Sequence, residues 1–119
     1  AKRSNLRIMI DCLHAHRAGV TREMLEEVPK KEFGFVHLCD GPAWVPPVDH
    51  PKMTEVARSG RSYVGEGEID LAGLLKGVGP VPYYSIELPN TAEMTARGKA
   101  GHAKKSLATA GSFFPKHNL

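Results

Sequence analysis

Three side chains able to bind metals or move protons close three short runs of strand-forming residues. Asp11 ends Leu6-Arg-Ile-Met-Ile-Asp11, His37 stands near the end of Phe33-Gly-Phe-Val-His-Leu38, and Glu87 ends Tyr83-Tyr-Ser-Ile-Glu87. Side chains alternate across a strand, so Met9 with Asp11, Phe35 with His37 and Ser85 with Glu87 form same-face pairs. In each pair the polar member is the C-terminal one. If the strands run parallel, these ends meet on one rim, where barrels and open α/β sheets place their active sites. Two carboxylates and an imidazole gathered there make a divalent-metal site. Mixed oxygen and nitrogen donors suit Mn²⁺, Mg²⁺, Co²⁺ or Zn²⁺ better than a metal that prefers thiolates. Each residue also has a plain structural role open to it: Asp11 as a turn cap, His37 as a core histidine with its own partners, Glu87 as the partner of a basic side chain. The same polar position at the end of three consecutive runs favours the joint site, which still lacks a fourth ligand.

The segments between these runs read as the elements that position them. After Asp11 comes a loop rich in His, Arg and Gly, and Thr21 then caps a helix over Thr21-Arg-Glu-Met-Leu-Glu-Glu-Val28 that Pro29 closes. Beyond the second run, Pro46, Pro47 and Pro51 punctuate a long loop, and Lys52 to Arg58 form a short helix stopped by Gly60. Asp70 caps a helix carrying Leu71, Leu74 and Leu75 at helical spacing. The last element, about Ala96 to Phe114, carries Ala100, Ala103, Leu107 and Ala110 at three- and four-residue steps and is expected to be one long amphipathic helix. Three strands each followed by a helix build a parallel sheet with right-handed crossovers. A closed (β/α)8 barrel takes about 250 residues, so 119 residues supply roughly three of its units.

Bulk properties narrow the partners. With 41% hydrophobic residues the chain has the apolar content for a core. No apolar run approaches the roughly 20 residues that cross a bilayer, so a cytoplasmic protein without a membrane partner is expected. The net charge of +3 is spread along the chain apart from the pairs Lys30-Lys31 and Lys104-Lys105, and no nucleic acid is expected as partner. Cys12 and Cys39 have neither CxxC spacing nor a disulfide pattern and read as reduced thiols packed as small apolar groups.

Taken in order, four motifs resemble those of the xylose isomerase-like barrels, the sugar phosphate isomerases and epimerases. Asp11-Cys-Leu-His14 resembles their Asp-x-x-His, and His37-Leu-Cys-Asp40 their His-x-x-Asp. Gly65-Glu-Gly-Glu-Ile-Asp70 resembles the Gly-Glu-Gly segment before a helix, and Ile86-Glu87-Leu-Pro89 the final-strand glutamate. The resemblance runs from about Leu6 to Phe114. It implies that residues 1–119 are the C-terminal portion, the sixth to eighth βα units, of a TIM (β/α)8 barrel whose N-terminal half is absent. It implies metal ligation by Asp11, His37 and Glu87, acid/base catalysis by Glu87, and substrate contacts from His14 and Arg61. A further glutamate ligand would come from an earlier strand. The implied activity is isomerisation or epimerisation of a carbohydrate, with a dehydratase acting on a polyol or cyclic keto acid as a close variant. The missing barrel half or a second copy would be needed as partner.

The residues keep other readings open. His14 lies close enough to Asp11 to reach a substrate hydroxyl, or is a plain loop histidine. Arg61, favoured over Arg58, can hold a hydroxyl, carboxylate or phosphate, or is a solvated charge. Trp44 either walls the pocket or covers the barrel mouth. An endonuclease IV-like phosphodiesterase shares the four motifs, but it carries an Asp-x-His pair shortly before Gly-Glu-Gly, where this chain reads Gly60-Arg-Ser-Tyr-Val64. A non-catalytic assembly module is the remaining alternative, since an open parallel sheet needs another chain to cover it.

Overall fold

In the computed structural model, which describes residues 3–119, the three strand-forming runs become Ile8–Asp11 (β1), Phe33–Leu38 (β2) and Tyr84–Ile86 (β3). They form one sheet in the order β1-β2-β3, parallel at both pairings. Parallel neighbours need a crossover between them. Cys12–Arg17 (α1), Arg22–Glu26 (α2) and a 3-10 turn at Lys30–Glu32 connect β1 to β2. Pro51–Ser59 (α3) and Leu71–Val78 (α4) connect β2 to β3, and Thr91–Lys116 (α5) follows β3. The chain is an α/β fold built on a small parallel sheet.

Alternation along the strands separates two faces. Val36 and Leu38 point to the helices and are fully buried among Cys12, Leu13, Leu25, Leu71, Leu74, Leu75 and Val78. Met9, Phe35 and Tyr83 lie on the other face, where Phe35 and Tyr83 stack with ring centroids 5.0 Å apart and Met9 and Tyr83 stay exposed. Outside the sheet, α2 packs on α4 at Gly77, where a Cβ would come within 2.8 Å of the Arg22 carbonyl oxygen.

Local chemistry sets the helix starts. Thr21 Oγ1 accepts the Met24 N–H, and Asp70 Oδ1 accepts the Gly73 N–H at 2.9 Å. Before α3, His50 Nδ1 accepts the Lys52 N–H, with Pro51 at the first helical position, where its missing N–H costs nothing.

Two expectations are corrected. The stretch after Asp11 is helix rather than loop, because Asp11 caps it: Oδ1 accepts the His14 N–H at 3.1 Å. The last helix starts at Thr91 and is interrupted at Gly98, which has φ 70° and ψ 164°. Its inward line also differs. Of the Ala100, Ala103, Leu107, Ala110 stripe only Ala110 is buried, and Leu107 is 70% exposed. Ser106, Ala110 and Phe113 face the core. Alanine methyls bury little area, so the Phe113 ring and the polar contacts of His102 decide the rotation of the helix.

Candidate functional site

The sheet register brings the C-terminal strand residues into a row: Asp11 lies opposite His37, and His37 opposite Ser85. Asp11 and His37 are thereby side by side, with Asp11 Oδ2 3.8 Å from His37 Nδ1. Glu87 is two residues beyond Ser85, on the same face by alternation, and its N–H donates to the Leu38 carbonyl at 2.9 Å, extending the ladder past β3.

Two ligands of one cation, each about 2.0–2.2 Å from it, stand roughly 3–3.5 Å apart. The Asp11–His37 separation is close to that span, so the pair fits two positions of a divalent-metal site. Among the described residues no three His, Cys, Asp or Glu side chains come near enough together to hold one ion. Glu87 shares the rim and the face of the pair, but its carboxylate does not complete a cluster with it.

Arg61 is the second hydrogen-bond partner of Asp11. Its Nη1 donates to Asp11 Oδ2 at 2.8 Å, to Cys39 Sγ at 3.4 Å and to the Glu87 carbonyl at 3.3 Å, while Nε donates to the Ala57 carbonyl. One guanidinium thus ties together the ends of all three strand paths. Burial works to raise the Asp11 pKa, but the Arg61 hydrogen bond, the His14 N–H and the nearby positive charge of Arg61 outweigh it and hold the carboxyl below the usual carboxylate range. Arg61 is not a solvated charge: the residue is 5% exposed, its guanidinium drawn inward by the Asp11 carboxylate. His14 is exposed at the start of α1, beside Asp11. Cys12 and Cys39 are free and fully buried, and burial pushes both thiols up, which keeps them protonated and apolar in behaviour.

Several supporting contacts carry no evident sign in the sequence. Asp40, 2% exposed, accepts the N–H groups of Gly41, Gly65 and Ile69 through its two carboxylate oxygens. The last residue of His-x-x-Asp therefore holds the Gly-Glu-Gly loop directly. Gly67 lies against it so closely that a Cβ would sit 2.3 Å from Asp40 Oδ1, and Gly65 has φ +82°. His16 donates to the Ala43 carbonyl in the loop after β2, and Arg17 to the Met53 carbonyl in α3. Trp44, 54% exposed, packs edge-on against His50. Tyr63, Asn90 and His102 surround the Glu87 segment.

No family model and no curated protein matches the chain. Among solved structures, a crystal structure of IOLI protein with a binding zinc atom is similar to it, with a TM-score of 0.73 and 23% identity over 97% of this chain. At that identity the likeness shows the fold. The chain spans 40% of the length of that protein. Among the described residues no helix is long and apolar enough to cross a membrane.

Proposed function

We propose that the chain is the sixth to eighth βα units of a xylose isomerase-like (β/α)8 barrel, and that the whole barrel is a metal-dependent sugar or sugar-phosphate isomerase or epimerase. The observation that carries this reading is the Asp11–His37 pair, 3.8 Å apart at the C-terminal rim of a parallel sheet. Glu87 is the third donor, and a glutamate from a strand outside this chain the fourth. The zinc atom in the IOLI protein supports a divalent cation here too. Among the described residues both outer strands have a free edge, and Met9 and Tyr83 are exposed on the face that a closed barrel turns inward. The remaining strands, from the missing half or a second copy, cover that face.

When bound, a divalent cation lowers the cost of removing a proton from carbon next to a carbonyl. Glu87 takes that proton, and the opposing glutamate serves the other face of the substrate. His14, exposed beside Asp11, contacts a substrate hydroxyl. Arg61 holds Asp11 and the Glu87 backbone in place. Elimination of water from the keto form of a polyol or from a cyclic keto acid begins with the same proton abstraction, so a dehydratase differs only in what leaves next. For a phosphodiesterase, Asp49 and His50 are the only Asp-His neighbours near the site in sequence. His50 is committed to capping α3.

The test uses the full-length protein, a panel of ketoses and ketose phosphates, and exchange of the substrate α-proton with D₂O. Glu87→Gln is expected to bind metal and to lower both turnover and exchange by about 10²–10⁴, the range of general-base catalysis. A variant that exchanges the proton at the parent rate removes Glu87 as the base.

A further inference from the structure

The chain leaves regular pairing just where Glu87 stands, yet the Glu87 N–H and the carbonyls of residues 87 to 89 keep protein partners. The Glu87 N–H donates to the Leu38 carbonyl, the Arg61 side chain to the Glu87 carbonyl, and the Arg61 N–H to the Pro89 carbonyl. The remaining carbonyl, that of Leu88, accepts from His102 Nε2 at 3.0 Å. His102 comes from α5, four residues after its interruption at Gly98. Its second nitrogen, Nδ1, is 2.7 Å from the Tyr63 hydroxyl, and Tyr63 belongs to the segment between Arg61 and Gly65.

We propose that His102, oriented by Tyr63, is a positioning residue that fixes the Leu88–Pro89 peptide, one residue past Glu87, and so the path of the chain that aims the Glu87 side chain. The inference rests on Glu87 being a site residue. A carbonyl oxygen only accepts, so Nε2 must carry a proton. In the neutral ring Nδ1 is then an acceptor, and it takes the Tyr63 O–H. Burial, with the Glu93 carboxylate next, pushes the Tyr63 phenol up and keeps its hydroxyl a donor. The charged groups around the pair are Glu93 and Arg97 at the start of α5, Lys105 one turn on, and Glu66 in the loop. Glu93 Oε2 is 3.3 Å from the Tyr63 hydroxyl and Lys105 Nζ lies 4.1 Å from the ring centroid, paired with Glu66. If His102 gains a proton, Nδ1–H donates to the Tyr63 oxygen and the phenol turns to Glu93. Nε2–H is present in both states, so the hold on Leu88 survives protonation. The same pair joins three parts of the chain that otherwise touch the rim separately: the Gly-Glu-Gly approach, the end of β3 and α5.

Backbone amide hydrogen exchange read by NMR on the full-length protein tests the proposal without reference to substrate or metal. His102→Ala is expected to speed exchange of the Glu87 amide by about five- to tenfold, the loss of one hydrogen bond, while the β1 and β2 amides keep their rates. His102→Gln, whose amide N–H reaches the Leu88 carbonyl, is expected to restore most of the protection. Equal exchange in His102→Ala and the parent, or equal loss in the Ala and Gln variants, overturns the proposal. Should His102→Ala not fold, Tyr63→Phe decides: it keeps the ring packing, and an unchanged Glu87 rate there overturns the orienting role of the hydroxyl. In the parent the ring ¹⁵N shifts must show a protonated Nε2 and a bare Nδ1, and the opposite tautomer also overturns it. Failure of the proton-transfer reading would appear instead as undiminished α-proton exchange in Glu87→Gln, whatever the amide rates.

Discussion

Asp11 and Asp40 end neighbouring strand paths and use the same chemistry to different ends. Asp40 is 2% exposed and spends its oxygens on three backbone N–H groups, those of Gly41, Gly65 and Ile69. Asp11 gives one oxygen to the start of α1 and the other to Arg61, with His37 Nδ1 standing 3.8 Å away. A carboxylate offers about four lone-pair directions, so Asp11 keeps capacity for a ligand that the buried corner around Asp40 has no room to admit. A structural carboxylate is thus satisfied by the loop it folds, whereas the rim carboxylate is held in part by the Arg61 guanidinium, which another cation can rival.

Four measurements break or sharpen that contrast. Asp40→Ala strands three N–H groups in a buried corner and is expected to cost about 3–5 kcal/mol in urea unfolding. Should it cost less than the loss of the Asp11 partner, the ranking of the two corners is wrong. Arg61→Ala leaves Asp11 without its buried partner and is expected to cost about 2–4 kcal/mol, with Arg61→Lys recovering only part because a single ammonium cannot span Asp11 and the carbonyls of Ala57 and Glu87. Gly67→Ala pushes a methyl into Asp40 Oδ1 and should cost about 1–3 kcal/mol, whereas Gly111→Ala, with nothing within 4 Å of the added Cβ, should not destabilise.

The smallest effect is the acid response of the rim. The folded Asp11 carboxyl titrates below its ordinary 3.8, so its contribution is present above pH 3.8 and is lost as the pH falls through the folded value. Unfolding measured against pH in the parent and in Asp11→Asn should converge at the acid end of that window. Curves that stay parallel through it would show that Asp11 is not stabilised as a carboxylate.

Strand runs, helix caps and the position of the polar residues at strand ends were legible from the chain alone. Thr21 and Asp70 cap as their types suggest, and Lys52 to Arg58 is helical within Pro51–Ser59. The start of α1 was missed because the His- and Gly-rich stretch hides a cap that Asp11 supplies. The facing of α5 was missed because a stripe of alanines has helical period but little area to bury, and a single Phe outweighs it. Asp40 was legible as the end of His-x-x-Asp, but its grip on the N–H groups of Gly65 and Ile69 was not; Tyr63 and His102 left no sign, because Tyr63 acts through His102 and His102 through the Leu88 carbonyl, a backbone partner with no residue type to read.

Local order, alternation and spacing determined the sequence of elements, their parallel run and the rim on which Asp11, His37 and Glu87 stand, since these depend on backbone geometry that neighbouring residues share. Only the tertiary structure decided that Arg61 is drawn inward to Asp11, that Asp40 grips the Gly-Glu-Gly loop and that His102 meets Leu88. Those contacts join residues from 14 to 50 positions apart, and which donor finds which acceptor depends on the packing of whole elements.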